Sequence, residues 1–202
     1  MRLFDIDLIP VLRSKRLTLR EMKPGDSYDM YEYSREPSVT KYLLWSEHPD
    51  EAFTRRHLKC VHKRYRTCLY YDWAIIYCGG SGDAGLKSYE GRMIGTCGFA
   101  SLDLENKCGE IGYVLNPHVW GHGIAKEAAQ EVIRFGFEAL GLERIEARYM
   151  IGNDASKRVM EKLGMKYEGT HRSLMYVKGI YRDIGVCSIL RGEYFQKKYS
   201  RI

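Results

Sequence analysis

The sequence contains no run of about 20 apolar residues, which is the length that a membrane-spanning helix needs. Its first ten residues, MRLFDIDLIP, include two aspartates and lack the apolar core of a secretory signal peptide. The six cysteines form no CxxC pair and match no zinc-site spacing. We therefore expect a cytoplasmic protein without a metal site, whose cysteines are reduced and mostly buried.

The 202 residues suffice for one domain with a sizeable core, and no repeat or linker divides them. We expect a single domain over 1–202. The composition, 45% hydrophobic and 29% charged, is typical of a soluble globular protein. Much of the net charge of +6 lies in RRHLKCVHKRYR, Arg55–Arg66. This segment is either a solvated helix face or a surface for an acidic partner, and the excess is too small to indicate direct nucleic-acid binding.

Periodicity and capping signals predict the order β, α, α, β, β, β, α, β, α, β, β. A helix capped by Ser46 or Asp50 is expected to bury a stripe at i, i+4, i+8 and i+12. Crossover helices after Leu115 and Met150 indicate locally parallel pairing within a mixed sheet. The predicted strands are 16–22, 72–77, 92–103, 108–117, 143–150, 165–174 and 181–195, the other helices begin at Asp26 or Ser27, at 124 and at 153, and the stripe is Phe53, His57, Val61 and Tyr65.

A glycine turn precedes the helix that begins at 124. Gly121 and Gly123 permit close approach of a ligand to the main chain, and Lys126 adds a cation in the first turn. The unpaired N–H groups of a helix start favour an anion there. The turn is not a P-loop, which needs GxxxxGK[ST], and Lys126 replaces the third glycine of the GxGxxG fingerprint. It is therefore either a different phosphate site or an ordinary loop.

VWGHGIA resembles the acetyl-CoA-binding motif [QR]xxGx[GA] of the GCN5-related N-acetyltransferases, the GNAT superfamily. Gly123 and Ala125 match its last two positions, whereas Trp120 stands where Gln or Arg is usual. EIGYVLNP and GNDASKRVMEKLGMKYEG resemble the family's central strand and the asparagine-led helix that follows it. KGIYRDIGVCSIL resembles the ending of the RimJ/RimL branch, which acetylates N-termini of ribosomal proteins. The similarity covers Arg16 to Leu190.

The resemblance implies an α/β (α+β) fold: a mixed, mostly antiparallel, twisted sheet, splayed in its middle, with helices on both faces. It also implies that acetyl-CoA lies in the splay. Trp120 is then expected to pack on the cofactor or stabilise the loop, and Asn153 to contact the pantetheine. The remaining implied contacts are main-chain groups of Tyr113, Val114 and Leu115 to the pantetheine arm, and of Gly121, His122, Gly123, Ile124, Ala125 and Lys126 to the pyrophosphate.

Acetyl transfer to an amine needs a base, a donor for the carbonyl oxygen and an acid for the leaving thiolate. Strand alternation places Glu110 with Gly112 and Val114 on one face, so Glu110 is the candidate base, the alternative being a solvent-facing glutamate. A main-chain N–H of Val114 or Leu115 is the candidate oxyanion donor. Ser156 is the candidate acid, near the thioester sulfur; Asn153 and Ser156 are otherwise capping residues of a short helix.

Other side chains are weaker candidates. Met160 stands where many relatives carry a tyrosine acid. Cys97 and Cys187 have no histidine partner visible in the sequence, which disfavours a covalent mechanism. The remaining residues are tyrosines that could replace the acid, loop histidines beside the glycine turn, and an aspartate that supports the last hairpin: Tyr167, Tyr176, Tyr181, His118, His122 and Asp183.

The leading hypothesis is an acetyl-CoA-dependent N-acetyltransferase that acts directly on a primary amine, most simply a protein N-terminus. The alternatives are a small amine, an amino acid or an antibiotic as acceptor, a non-catalytic acyl-CoA-binding module, and a basic ribosome-associated binding protein. Relatives in this branch often form homodimers, so a homodimer is expected; a membrane partner is not.

Overall fold

The computed structural model describes residues 9–67, 70–80 and 84–199. Eight strands form one sheet in the order β1-β2-β3-β4-β5-β6-β8-β7. The strands are β1 (Leu12–Arg13), β2 (Leu17–Arg20), β3 (Asp72–Tyr77), β4 (Met93–Asp103), β5 (Cys108–Leu115), β6 (Arg144–Met150), β7 (Lys166–Val177) and β8 (Ile180–Leu190). The helices are α1 (Ser27–Ser34), α2 (Pro37–Thr40), α3 (Glu51–Arg64), α4 (Ile124–Glu138), α5 (Asp154–Leu163) and α6 (Arg191–Tyr199).

Helices cover both faces of the sheet, as expected. On one face α4 packs so closely that a Cβ on its Gly136 would lie 2.7 Å from Ile145 and 2.9 Å from the Phe99 ring. On the other face, Asp29 in α1 accepts a hydrogen bond from the Met93 amide at 3.0 Å. The large buried side chains around Trp73 and Phe137 fill the space between these layers.

The sheet opens between β5 and β6, its fifth and sixth strands in spatial order. β5 and β6 are parallel, which confirms the expectation for the crossover after Leu115. Their pairing runs only from Cys108–Arg144 to Ile111–Ala147. β5 nevertheless continues to Leu115, paired with β4 on its other side. Residues 112–115 therefore have a free main-chain edge on the β6 side, which is the expected splay.

The expected parallel pairing after Met150 is wrong, because the strand that follows α5 is not the neighbour of β6. β7 runs in the same direction as β6, but β8 lies between them and pairs antiparallel with both. The reason is the tight turn at Lys178–Gly179, where both residues have positive φ, because it folds β8 back against β7. The last predicted strand also ends early: Glu193 accepts the Leu190 amide at 3.0 Å, and the chain continues as α6.

The predicted stripe of α3 is wrong in its first half. Asp50 is the N-cap, with the Phe53 amide 2.6 Å from its Oδ1, but Phe53 itself is exposed. The buried residues are Thr54, Leu58 and Val61. Steps of four residues advance 400°, so a strict i+4 stripe drifts about 40° per step around a helix of 3.6 residues per turn.

Some short elements and the cysteines also differ from expectation. β1 and α2 were not predicted, and the glycine-rich connection after β3 contains a 3-10 segment, Ala84–Tyr89, in its described part. Five cysteines in the described ranges are free thiols, but Cys60 and Cys78 are exposed, so "mostly buried" was wrong. Cys68 lies outside the described residues. In the part of the chain described, no helix is long and apolar enough to cross a bilayer.

Candidate functional site

The glycine turn lies at the start of α4, beside the opening of the sheet. Gly121 and Gly123 have φ of +83° and +76°, the left-handed region that side chains rarely adopt. Gly123 is the N-cap of α4, and residues 121–123 are exposed. A Cβ on Gly121 would meet nothing within 4 Å. The surface above the turn is therefore open, and the first-turn amides of α4 have no intrahelical acceptors.

A partly buried ion pair between Arg16, the residue before β2, and Glu127 of α4 holds this turn in place. The Arg16 guanidinium donates to the His122 carbonyl at 3.0 Å and to Glu127 at 2.8 Å. Glu127 also accepts the Ser14 hydroxyl at 2.7 Å and the Arg16 amide at 2.8 Å. Burial alone would raise the pKa of Glu127, but these hydrogen bonds together lower it. The negative charge of Glu127, which would oppose an anion at the helix start, is thus compensated.

Trp120 connects the turn to the end of β5. Its indole N–H donates to the Leu115 carbonyl at 3.0 Å, while 47% of the residue remains exposed. The next residue after β5, Asn116, is buried and accepts the His118 amide at 3.0 Å. Trp120 therefore stabilises the loop, which was one of its two expected roles, and its exposed ring borders the opening.

The hydrogen-bond pattern of β5 decides which main-chain groups face the opening. The Asn116 amide donates to the Ile94 carbonyl of β4 at 2.9 Å. Val114, two residues before Asn116, pairs with Thr96, so its main-chain groups point in the same direction as those of Asn116. Main-chain groups alternate along a strand, so those of Val114 point to β4 and those of Tyr113 and Leu115 to the opening. The expectation that Val114 offers its main chain to a ligand is corrected accordingly.

The Asn153 side chain caps α5, since its Oδ1 accepts the Ser156 amide at 3.3 Å. The Tyr113 hydroxyl donates to the Ser156 carbonyl at 3.2 Å, which joins β5 to α5 across the mouth of the opening. Burial raises the pKa of Tyr113, so this hydroxyl stays protonated. The sequence indicated only main-chain use of Tyr113; its side chain was missed, although alternation had placed it on the face opposite Glu110.

Glu110 lies on the face away from α4 and α5. It is partly buried rather than a solvent-facing edge residue, and its Oε2 is 3.4 Å from Arg148 Nε. Arg148 also pairs with Glu146 at 2.9 Å. Burial raises the pKa of Glu110; Arg148 opposes this and Glu146 adds to it, and the net direction is upward. A carboxyl of this kind holds a proton at higher pH than an exposed glutamate.

A cleft of about 240 Å³ adjoins this carboxylate on the β6–β8–β7 side. Ion pairs cross it: Arg144 contacts Glu146 at 2.9 Å and Glu168 at 2.6 Å. Because Glu110 and Ser156 lie on opposite faces of the sheet, the structure does not group them in one cluster; the splayed edge of β5 lies between them.

The weaker candidates are less suited to chemistry. Burial raises the pKa of both Cys97 and Cys187, which disfavours their thiolates. Asp183 accepts the Ser173 amide at 2.7 Å, in agreement with a structural role in the β7–β8 hairpin. The other candidates stand on the exposed hairpin (Tyr167, Tyr176 and Tyr181) or stack beside the glycine turn (His118, on Tyr89).

The basic segment Arg55–Arg66 occupies α3 and the turn after it, mostly exposed, and Arg55 pairs with Glu51 at 2.9 Å. At the end of α3, the Arg64 guanidinium lies 4.1 Å from the centre of the Tyr70 ring. Over the described ranges, no group of three or more His, Cys, Asp or Glu residues is arranged to hold a metal ion.

Comparison with known proteins gives a consistent answer. A family model described as the acetyltransferase (GNAT) domain matches residues 16–166. "Uncharacterized N-acetyltransferase p20" of Bacillus licheniformis is 34% identical over 183 residues, 91% of this chain and 97% of that protein. "Putative ribosomal N-acetyltransferase YdaF" of Bacillus subtilis (strain 168) is 30% identical over 188 residues, with 92% and 97% covered. A crystal structure of a GNAT-family acetyltransferase from Bacillus anthracis superimposes with a TM-score of 0.76 at 28% identity, covering 91% of this chain and all of that one.

Proposed function

This chain belongs to the GNAT acetyltransferase family and is an N-acetyltransferase, and we propose that it transfers the acetyl group of acetyl-CoA to a protein N-terminal amine. The observation that carries the proposal is the end of β5–β6 pairing at Ile111, beside a left-handed glycine turn. This arrangement offers an extended ligand a strand edge and an anion a helix start. GNAT enzymes use acetyl-CoA as co-substrate.

The residues of the opening fit that co-substrate. Main-chain groups of Tyr113 and the Leu115 amide are turned toward the free edge, where an extended amide chain pairs as an added strand would, while the Leu115 carbonyl accepts the Trp120 indole N–H. Amides of residues 121–126 face the open surface of the turn, where a pyrophosphate is stabilised by the helix start. The Asn153 amide group contacts the same chain from the cap of α5, and the exposed Trp120 ring packs along it.

The acetyl thioester supplies an activated carbonyl carbon when bound. Glu110, with its raised pKa, takes the proton from the acceptor ammonium, directly or through water. The neutral nitrogen then forms the C–N bond while the C–S bond breaks and sulfur leaves as thiolate. The Leu115 N–H stabilises charge on the carbonyl oxygen. On the α5 side, the Ser156 or Tyr113 hydroxyl would give the leaving sulfur its proton, and that hydroxyl would regain a proton through water from the new amide nitrogen, which loses one as the amide forms.

The acceptor class rests on two similarities. One is the ending of the chain, which resembles the RimJ/RimL branch; the other is the relative from Bacillus subtilis whose name contains "ribosomal N-acetyltransferase".

Thiol release from acetyl-CoA tests this proposal. Peptides with free N-termini are compared with the same peptides carrying a blocked N-terminus, and with a panel of amino acids, polyamines and aminoglycosides. We expect turnover with the free peptides only. Turnover confined to small amines would show that the acceptor is a small amine and not a protein N-terminus. Tight acetyl-CoA binding without turnover on any amine would favour a binding module.

A further inference from the structure

Asp72 shares a row across three strands with two glycines. At the start of β3 it pairs with Gly98 of β4, and Gly98 pairs with Gly112 of β5. A Cβ on Gly98 would be 2.7 Å from Asp72 Oδ1 and 2.3 Å from Asp72 Cα. The carboxylate therefore lies over Gly98, on the face that Gly98 shares with Gly112.

Gly112 is exposed, and a Cβ there would meet nothing within 4 Å. Its Cα is about 5.5 Å from that of Gly98, the spacing of a hydrogen-bonded antiparallel pair. Glu110 is two residues away on the same face, or about 7 Å along β5. The open space above Gly112 is thus flanked by Asp72 on the β3 side and by Glu110 along its own strand.

Aromatic hydroxyl groups hold Asp72 in this position. Tyr70 donates to its Oδ2 at 3.2 Å, and Tyr65 donates to its carbonyl at 2.7 Å. Burial raises the pKa of Asp72 to about 6, although Tyr70, Arg64 and the Trp73 amide act in the other direction. The charge of Asp72 also contributes to the raised pKa of Cys97 in β4 and to that of Tyr33 in α1.

Tyr33 adds an independent observation. The residue is 1% exposed, and within the described ranges its hydroxyl has no hydrogen-bond partner. Among the charges that act on this hydroxyl, Asp72 is the strongest. A buried hydroxyl without a partner is destabilising unless a ligand or a water molecule forms the missing hydrogen bond. The charge of Asp72 therefore reaches the same buried region as this unpaired hydroxyl.

We propose that Asp72 binds the ammonium group of the acceptor above Gly112, and that Glu110 then takes its proton. The inference rests on the proposed function and identifies what recognises the acceptor. An ammonium carries three donors, and the Asp72 and Glu110 carboxylates on this face offer acceptors for two of them. Burial disfavours the charge of Asp72 more than Arg64 compensates it, so a cationic amine is preferred over a neutral acceptor.

The test is the Asp72→Asn variant, which keeps the shape of the side chain and an acceptor atom for Tyr70. The acceptor KM and kcat, the acetyl-CoA Kd and the melting temperature are measured for wild type and variant. We expect the acceptor KM to rise roughly ten- to a hundredfold, as for loss of a hydrogen bond to a charged group. The acetyl-CoA Kd should stay within about twofold. Glu105→Gln, in an exposed turn, is the matched control and should change neither constant.

Gly112→Ala provides a second variant in case Asp72→Asn does not fold. Its φ is not in the left-handed region and its Cβ meets no atom, so the fold tolerates it, but the methyl group fills the ammonium position. A raised acceptor KM with unchanged acetyl-CoA affinity supports the inference. If the wild type is active and a folded variant has an unchanged acceptor KM, this inference is contradicted and the proposed function is not. If the wild type is inactive on every amine, the proposed function is overturned as well.

Discussion

The two sides of the sheet opening are built differently. On the α4 side, a short continuous segment forms the glycine turn, and main-chain geometry dominates: two left-handed glycines, a helix start and a strand edge. On the other side, the proposed acceptor face, side chains come from separate strands: Asp72 from β3, Glu110 from β5 and, in contact with Glu110, Arg148 from β6. Because the two sides use different groups, we expect that co-substrate binding and acceptor recognition, if they are divided as proposed, can be disrupted separately. The variants below test that separation.

The largest effect is expected from Gly123→Val. A β-branched residue at a φ of +76° is strained, and its Cβ would lie 3.7 Å from Arg16 Nη2, so its methyl groups crowd the contact that holds the turn. Acetyl-CoA affinity should fall more than about a hundredfold, measured by titration calorimetry. Gly141→Val is the matched control, because Gly141 has a φ of +67° and open space beyond the other end of α4. Equal acetyl-CoA affinity in the two variants would contradict the placement of the pyrophosphate.

Glu110→Gln is expected to lower kcat by roughly 10²–10⁴-fold, the usual contribution of a positioned base. Acetyl-CoA affinity should hardly change, since Glu110 lies on the acceptor face. The wild-type rate should rise with pH through the raised pKa of Glu110, and this limb of the pH profile should vanish in the variant. A full rate in Glu110→Gln would remove Glu110 from the role of base.

Arg16→Ala should weaken acetyl-CoA binding by roughly tenfold, because the His122 carbonyl and Glu127 lose their partner and the negative charge of Glu127 is left at the helix start. The acceptor KM should be unaffected. Arg13→Ala, which removes an exposed contact to Thr18 on the same hairpin, is the control. If Arg16→Ala raised the acceptor KM instead, the two sides would not be separable.

The smallest effect concerns stability. Between pH 3.8, the ordinary pKa of Asp72, and about 6, its pKa in the fold, the folded protein keeps a proton that the unfolded chain has released. The free energy of unfolding therefore falls as pH rises through this window. Asp72→Asn should be more stable than wild type at pH 8 by about 1–2 kcal/mol, with the difference disappearing below pH 4 in thermal melts. A less stable variant at pH 8 would contradict the unfavourable burial of this charge.

The same comparison explains what the sequence could predict. The glycine turn, the capped α5 and the end of β5 at Asn116 are local signals, and the structure has them where expected. The neighbour of β6 was not predictable from the crossover alone, because the β7–β8 hairpin decides it. Asp72 and Arg16 were missed for a similar reason: their partners are far away in the chain, since strand register brings Asp72 to Gly98 and packing of α4 beside β2 brings Glu127 to Arg16.

The most direct test of the account locates the transferred acetyl group. A peptide with a free N-terminus and one internal lysine is incubated with acetyl-CoA and the wild-type protein, and the product is fragmented in a mass spectrometer. The account predicts one added acetyl group on the N-terminal nitrogen, and almost none with Glu110→Gln. Acetylation confined to the lysine side chain, or no acetylated peptide while small amines are turned over, would contradict it.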